Sequence, residues 1–152
     1  MPIIQCRPKG FFSWGYTLTG ASWTARSELD VFGESGSLLI EGQRFEVKKQ
    51  GFLSGEWQVW QGNEHLLGAH KSNPLTRRFR IKSAAGHHIL QPAGLGRTMT
   101  LSGPGHRLKI APNHPFTRKA TITGEGDNPL VITFSFWLSS LVWRRAANNA
   151  AN

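Results

Sequence analysis

The sequence is poor in cysteine and, over its second half, poor in acidic residues. Its 152 residues include one cysteine, Cys6, which excludes an internal disulfide and favours a reduced, cytoplasmic setting. Arg7 and Lys9 interrupt the apolar residues at the start, so the sequence predicts no secretory signal. Between His65 and Gly124 there is no Asp or Glu at all. A catalytic or metal site in that region would have to take its carboxylates from elsewhere in the chain.

The scarcity of acid makes the charge of the chain uneven. Eighteen Lys and Arg against nine Asp and Glu give a net charge of +9. Residues 1–64 hold six basic and seven acidic residues, whereas residues 65–152 hold twelve basic and two acidic residues. A cationic half of this kind favours an anionic partner: a membrane surface, nucleic acid or an acidic protein. The alternative is a basic surface that serves solubility alone.

Short strand patterns separated by turns fill the chain up to residue 123, and seventeen Gly and eight Pro fit this frequency of turns. The predicted strands are Gly15–Trp23, Glu28–Phe32, Ser37–Glu41, Arg44–Lys48, Glu56–Trp60, Leu66–His70, Arg78–Lys82, His88–Gln91, Met99–Ser102, Arg107–Ile110 and Lys119–Thr123. In the strand around Phe79 and Ile81, apolar residues alternate with Arg78, Arg80 and Lys82. This alternation predicts an antiparallel meander with one face in a core and the other in water.

One uncharged segment, Pro129–Trp143, predicts a helix after the strands. Asp127-Asn128 before it suits a helix cap, Pro suits the first helical position, and Arg144-Arg145 suits the last turn. We therefore place a helix at about 129–147 and a polar tail at 148–152. A helix that is apolar on all sides must be enclosed by protein or by lipid.

The helix and the strands together predict one architecture. Fifteen uncharged residues rise about 22 Å as a helix, which is less than the hydrocarbon core of a bilayer at about 30 Å. A barrel of about ten or more strands is too wide for its own side chains to fill. We therefore expect a mainly β protein with a single domain at 1–147. Its fold is a closed antiparallel barrel of about 10–12 short strands around a buried hydrophobic C-terminal helix.

This combination resembles the tubby-like β-barrel superfamily, which includes the tubby C-terminal domain, the phospholipid scramblases and the plant LURP-one-related proteins. The resemblance lies in the hairpin run from Gly36 to Ile110 and in the closing segment PLVITFSFWLSSLVWRR. Ser37–Lys48 followed by Trp57–Leu67 is similar to the LURP-one-related and scramblase-like branch. The resemblance implies a hydrophobic helix threaded through a closed barrel. It also implies that basic side chains on the barrel surface bind anionic lipid headgroups, as in the tubby branch.

The candidate binding site is a group of basic residues in the second half of the chain. Arg78, Arg80 and Lys82 share one strand face, two more basic residues lie just before them, and two lie on a later strand that could sit beside them. An anionic leaflet attracts each such residue with about 1 kcal/mol. The predicted headgroup-binding residues are Lys71, Arg77, Arg78, Arg80, Lys82, Arg107 and Lys109. The alternative for these residues is a solvated strand face.

No other chemistry has comparable support in the sequence. The six His include the adjacent pair His87-His88, whose side chains point to opposite strand faces, and none has a Cys or carboxylate cluster at a metal-ligand spacing. No G-x-S-x-G segment or phosphate-binding loop occurs. We therefore expect no metal, no cofactor and no enzymatic activity.

The functional prediction is a cytoplasmic, non-catalytic binding module, peripheral to a membrane, for anionic lipid headgroups or a protein partner. The chain lacks the acidic calcium-binding segment and the Cys-rich stretch associated with scramblases, so binding rather than lipid scrambling is implied. Two alternatives stay open. Basic strands with aromatic residues such as Trp57 and Trp60 also describe single-strand nucleic-acid binders. The helix could also be a tail anchor, although it is short and contains Thr and Ser.

Overall fold

The chain forms twelve strands followed by one helix, in a computed structural model that describes residues 3–10, 13–51, 55–73, 75–94 and 96–151. Each strand pairs antiparallel with the next, and the first also pairs with the last, with Ile3 opposite Thr123, which closes the sheet into a barrel. The elements are β1 (Ile3–Pro8), β2 (Tyr16–Thr19), β3 (Thr24–Leu29), β4 (Gly36–Ile40), β5 (Gln43–Lys49), β6 (Glu56–Gln61), β7 (Glu64–His70), β8 (Phe79–Ser83), β9 (Gly86–Pro92), β10 (Met99–Gly103), β11 (His106–Pro112), β12 (Ala120–Gly126) and α1 (Pro129–Ala151). The predicted fold class is confirmed.

The alternation of apolar and charged residues sets which face of each strand looks inward. Phe79 and Ile81 of β8 are buried, while Arg80 and Lys82 are exposed, as predicted. The same inward alternation recurs in the other strands, for example at Leu108 and Ile110 of β11. The inward side chains of the barrel form one continuous apolar core.

Helix α1 supplies the centre of that core. Asn128 caps it, since its side-chain oxygen accepts hydrogen bonds from the backbone N–H groups of Leu130 (3.0 Å) and Val131 (3.4 Å). Every residue from Val131 to Trp143 is buried, which covers more than three full turns. A helix buried on all sides over this length must be enclosed by the barrel, and it fills the space that the strands leave open.

The helix continues further than the sequence predicted. It runs to Ala151, so that it includes most of the segment expected as a polar tail, and Arg144 and Arg145 do not lie in its last turn. The extra residues are Ala and Asn only, and Ala has the strongest intrinsic preference for a helix. The two arginines instead bind groups at the barrel rim, as described below.

The first strands differ most from their predicted positions. Strand β1 was not predicted, and the expected strand Glu28–Phe32 is replaced by β3 at Thr24–Leu29. The inward residues of β3, Ala25 and Ser27, are small, so the strand lacks the apolar alternation that marks its neighbours. The helix approaches β3 closely, since the indole of Trp137 donates a hydrogen bond to the backbone oxygen of Glu28 (2.8 Å).

The two ends of the barrel differ in the length of their connections. In an antiparallel meander, the connections from odd to even strands all lie at one end, and those from even to odd strands lie at the other. The first set comprises the connections 9–15, 30–35, 50–55, 71–78, 93–98 and 113–119, and we call this end the loop end. The second set consists of turns of two to four residues and is called the turn end. Helix α1 begins at the turn end and emerges at the loop end.

Arginine side chains tie the loop-end connections to one another and to the helix. Arg97 donates hydrogen bonds to the backbone oxygens of Thr117 (2.9 Å), Pro115 (2.9 Å) and His114 (3.2 Å), which joins two connections. Arg77, Arg118 and Arg144 make similar bonds to the carbonyls of other loop-end connections. The loop end is therefore held by charge-assisted bonds to backbone rather than by apolar packing alone.

One carboxylate, Glu34, fixes the helix to the rim. It accepts hydrogen bonds from Arg145 and from Lys49 (2.7 Å), and only 19% of its side chain is exposed. Burial alone would raise the pKa of the Glu34 carboxyl, but the hydrogen bonds and charges of Arg145 and Lys49 outweigh it and lower the pKa to about 2. The ion pair thus stabilises the native state at neutral pH.

Substitutions at Leu138, which is fully buried in the middle of α1, test the role of the helix. Leu138→Ala should lower the free energy of unfolding by about 2–5 kcal/mol, because it leaves a cavity in the core. Leu138→Asp should prevent cooperative folding, since it buries an unpaired charge. Urea unfolding followed by tryptophan fluorescence measures both effects. Leu75→Asp, at a position 95% exposed, is the matched control; equal effects at both positions would contradict a helix-filled barrel.

The pH dependence of stability tests the Glu34 ion pair. A carboxyl whose pKa is lowered on folding contributes stability above its unfolded pKa, near 4.5, which is lost as the pH falls towards the folded value of about 2. Between these pH values the parent should lose roughly 3 kcal/mol more than Glu34→Gln. Arg145→Gln should flatten the profile in the same direction, since it removes one of the two cations. Parallel pH profiles of the parent and Glu34→Gln would refute the assignment.

Candidate functional site

Three of the predicted basic residues lie together on the outer surface. Arg80 and Lys82 project from β8 on the face opposite Phe79 and Ile81, and Arg78 lies just before the strand; all three are exposed. Their outward direction follows from the alternation of β8, because the apolar residues of that strand are drawn into the core. The structure therefore places this part of the predicted site on one surface.

The other strand of the predicted site lies apart from the first. Arg107 and Lys109 are exposed on β11, but β9 and β10 separate this strand from β8. Three strand spacings correspond to roughly 14 Å along the curved sheet. The neighbours of Arg107 in register are Ser102 and Glu125, so an acid lies beside it. The expectation that the two basic strands sit side by side is wrong, because consecutive strands of a meander pair in order.

Lys71 does not belong to the exposed surface. It is 5% exposed and lies at the loop end with its Nζ atom 5.7 Å from the centre of the Phe79 ring. Burial lowers the pKa of Lys71, and the charge of Arg145 lowers it further. The residue follows Ala69 in the inward alternation of β7, which explains its position inside the rim.

Arg77 is exposed but already engaged. Its guanidinium donates a hydrogen bond to the backbone oxygen of Gly96 (3.1 Å), which joins two loop-end connections. The sequence does not show that Arg77 is bonded within the protein, because its acceptor is a backbone carbonyl nineteen residues away. Arg77 therefore joins two loop-end connections while its side chain stays exposed.

A groove of about 550 Å³ lies on the outer surface of β6 to β9. Its floor is Gly68 of β7, which lies in register between Gln58 of β6 and Lys82 of β8. The absence of a side chain at this outward position leaves the space open. The polar groups around it are Glu56, Gln58, His65, His70, Arg80, Lys82, Ser83 and His87.

A smaller groove of about 260 Å³ continues the first one towards the loop end. It shares His70 and Arg80 with the larger groove and adds Ser72 and Arg78. The three exposed cations of the β8 region line the two grooves between residues of β7 and β9. The volumes of the grooves and these cations suit a small ligand with several negatively charged oxygen atoms.

The sequence did not predict the histidines of the groove as binding residues, because none of them lies at a metal-ligand spacing. His65 and His70 lie on β7 and His87 on β9, so that they flank the cations of β8 from both sides. Imidazole nitrogens can donate hydrogen bonds to an anion without any metal. Alternation along the two strands adjacent to β8 is a sequence signal for His70 and His87. It does not identify His65, which shares their face because the register of β6 and β7 shifts between Val59 and Trp60.

The two tryptophans considered for base stacking differ in exposure. Trp57 is fully buried, and its indole donates a hydrogen bond to the backbone oxygen of Glu34 (2.9 Å). Trp60 is partly exposed and lies against the ring of His65, with ring centres 5.1 Å apart, while Lys48 lies over it. Of the two tryptophans, Trp60 therefore has a partly accessible ring, whereas the ring of Trp57 is not accessible.

Within the described ranges, no three His, Cys, Asp or Glu side chains are grouped so that they could hold a metal ion. No helix of the described part of the chain is both long and apolar enough to cross a membrane. Comparison with protein-family models, with curated proteins and with solved structures finds no match to this chain.

Proposed function

We propose that this protein is a non-catalytic, cytoplasmic module that binds a phosphate-bearing anionic headgroup in the groove over Gly68. The observation that carries the proposal is the composition of the groove, in which Arg80, Lys82 and three histidines face a single carboxylate, Glu56. Phosphate oxygens accept hydrogen bonds from guanidinium, ammonium and imidazole groups at once. Such a ligand would compensate the charges of Arg80 and Lys82, of which Glu56 can balance only one.

The rigidity of the surrounding sheet supports the proposal. The groove is built on four consecutive hydrogen-bonded strands rather than on loops, and the buried residues between its cations fix the direction of Arg80 and Lys82. A site on regular strands holds its side chains in place before the ligand arrives, which reduces the entropic cost of binding. The choice of a lipid headgroup follows the resemblance to the tubby branch, which implies basic side chains on a barrel of this architecture.

Paired charge substitutions test whether the groove is the site. In the double variant Arg80→Gln with Lys82→Gln, affinity for inositol trisphosphate, measured by calorimetry, should fall at least about tenfold, because each charge-assisted hydrogen bond contributes roughly 1.5–3 kcal/mol. The control, Arg107→Gln with Lys109→Gln, removes the same charge from β11 and should change affinity less than about twofold. Nonspecific attraction would weaken both double variants equally, so it cannot produce a difference between them. Equal losses of affinity in both double variants would show that binding depends on the net charge of the protein and not on the groove. Binding of oligonucleotides rather than of inositol trisphosphate would favour the nucleic-acid alternative.

A substitution at Gly68 tests the shape of the site without changing its charge. A Cβ atom at this position would lie 3.8 Å from the nearest heavy atoms, of His65 and Trp57, which is ordinary van der Waals contact. Gly68→Val should therefore fold, and its β-branched side chain suits a strand. The valine would occupy the floor of the groove and lower affinity for inositol trisphosphate at least about tenfold, a loss of about 1.4 kcal/mol, with an unchanged melting temperature. Undiminished affinity would show that the ligand does not enter the groove.

A further inference from the structure

Large apolar side chains protrude from the loop end of the barrel. Phe32 is 91% exposed, Leu75 is 95% exposed and Phe116 is 95% exposed, and Val31 beside Phe32 is 86% exposed. They lie in the connections 30–35, 71–78 and 113–119, all of which join an odd strand to an even strand. Three loops around one rim thus direct apolar residues into solvent at the same end. Isolated exposed apolar residues are common, but a group at one end of a molecule indicates an interaction surface.

The loops that carry these residues are held in place. Arg144 binds the backbone oxygen of Asp30 (2.6 Å) and that of Gly33, on either side of Val31 and Phe32. The three bonds from Arg97 fix the connection on both sides of Phe116. The side-chain oxygen of Asn73 accepts hydrogen bonds from the N–H groups of Leu75 (3.0 Å) and Thr76 (3.1 Å). The exposed positions of the apolar tips are therefore built into the fold.

The charged residues next to two of the three tips, Leu75 and Phe116, are cations. Arg77 and Arg78 follow Leu75 in its loop, and Lys119 follows Phe116, and all three are exposed. The loop-end connections contain two acids, Asp30 and Glu34, of which the second is paired with Arg145 and Lys49. At the turn end, in contrast, Glu41, Glu64 and Asp127 are exposed. The molecule is thus positive and apolar at one end and carries acids at the other.

We propose that the loop end docks on an anionic lipid bilayer, with Phe32, Leu75 and Phe116 inserted among the acyl chains and Arg77, Arg78 and Lys119 at the headgroups. In an anionic bilayer the hydrocarbon lies beneath a layer of negatively charged headgroups. Apolar tips, two of which lie next to cations, can therefore contact both layers at once. A second copy of the chain would bring two positive ends together, and the repulsion disfavours that occupant. The helix residues that emerge between the loops, Ala146–Ala151, add no charged side chain to this face. The inference rests on the proposed function only in its choice of an anionic bilayer.

Fluorescent labels at the tips test the orientation of docking. Phe32→Cys, Leu75→Cys and Phe116→Cys are each labelled with an environment-sensitive fluorophore. The native Cys6 is 1% exposed, so we expect its burial to protect it from the label in the folded protein. The control is Asn63→Cys, in an exposed turn at the opposite end. Vesicles of phosphatidylcholine with added phosphatidylserine should shift the emission of the three tip labels to the blue and leave the control label unchanged. Equal shifts at all four positions, or shifts of the tip labels that do not need phosphatidylserine, would overturn the proposal.

Partitioning onto the same vesicles gives a second readout with unlabelled protein. The triple variant Phe32→Ser, Leu75→Ser and Phe116→Ser should bind at least about tenfold more weakly than the parent, since inserted hydrocarbon contributes about 0.8 kcal/mol per buried CH₂ group. Ile3→Ser, at an exposed apolar residue on the side of the barrel, should bind as the parent does. Undiminished binding by the triple variant contradicts insertion, and a tip-label shift that appears on raising protein concentration without lipid indicates self-association instead.

The failure of this inference differs from the failure of the proposed function. The triple variant keeps the groove and should bind inositol trisphosphate with the parent's affinity. The groove variant Arg80→Gln with Lys82→Gln keeps all three tips and should still show the blue shift on vesicles that contain phosphatidylserine. If the parent shows the blue shift on vesicles but does not bind inositol trisphosphate, the groove is rejected and the docking end stands. If it binds inositol trisphosphate but shows no blue shift, the docking end is rejected and the groove stands.

Discussion

The structure depends on the mutual enclosure of one helix and one barrel. Helix α1 has no polar face along Val131–Trp143, and a closed sheet of twelve strands has an interior that its own side chains do not fill. Each element therefore removes the apolar surface of the other from water. Most of the buried hydroxyls of the helix are satisfied locally: those of Ser135 and Ser139 donate to the carbonyls one turn earlier (2.8 and 2.9 Å), and that of Ser140 donates to the carbonyl of Trp137 (2.7 Å). The hydroxyl of Thr133 is the exception, since it is buried without a hydrogen-bond partner among the described residues.

The positive charge of the chain overstates the number of cations that can meet a ligand. Arg97 and Arg144 bind backbone carbonyls at the loop end, Arg145 binds Glu34, and Lys71 is buried inside the rim. These residues stabilise connections that lack strand pairing, and the fork of the guanidinium group is suited to several acceptors at once. The exposed cations remain for an external partner, among them those of the β8 region, of β11 and of the loops. A count of basic residues in the sequence therefore does not tell which of them are bonded within the protein. That distinction requires the positions of their hydrogen-bond acceptors.

The sequence predicted what depends on local periodicity and missed what depends on neighbours in space. The alternation at Phe79 and Ile81 and the cap at Asn128 were sufficient to place β8 and the start of α1. Strand β3 was missed because its inward residues, Ala25 and Ser27, are small, so it lacks the apolar alternation of its neighbours. The groove was missed because Gly68 matters only through the residues beside it on β6 and β8. The separation of β8 from β11 could have been foreseen, since a meander fixes strand order.

The closing pair β1–β12 has a consequence for the order of assembly. Ile3 pairs with Thr123, so this seam has the largest sequence separation of any strand pair in the barrel. Loop closure over such a length is entropically unfavourable until other contacts compensate it. A finished ring would offer no side opening for the bulky residues Phe134, Phe136 and Trp137, which all lie in its interior. We therefore expect the sheet to curl around the helix while one seam is open, with the pairing of β1 and β12 among the last to form.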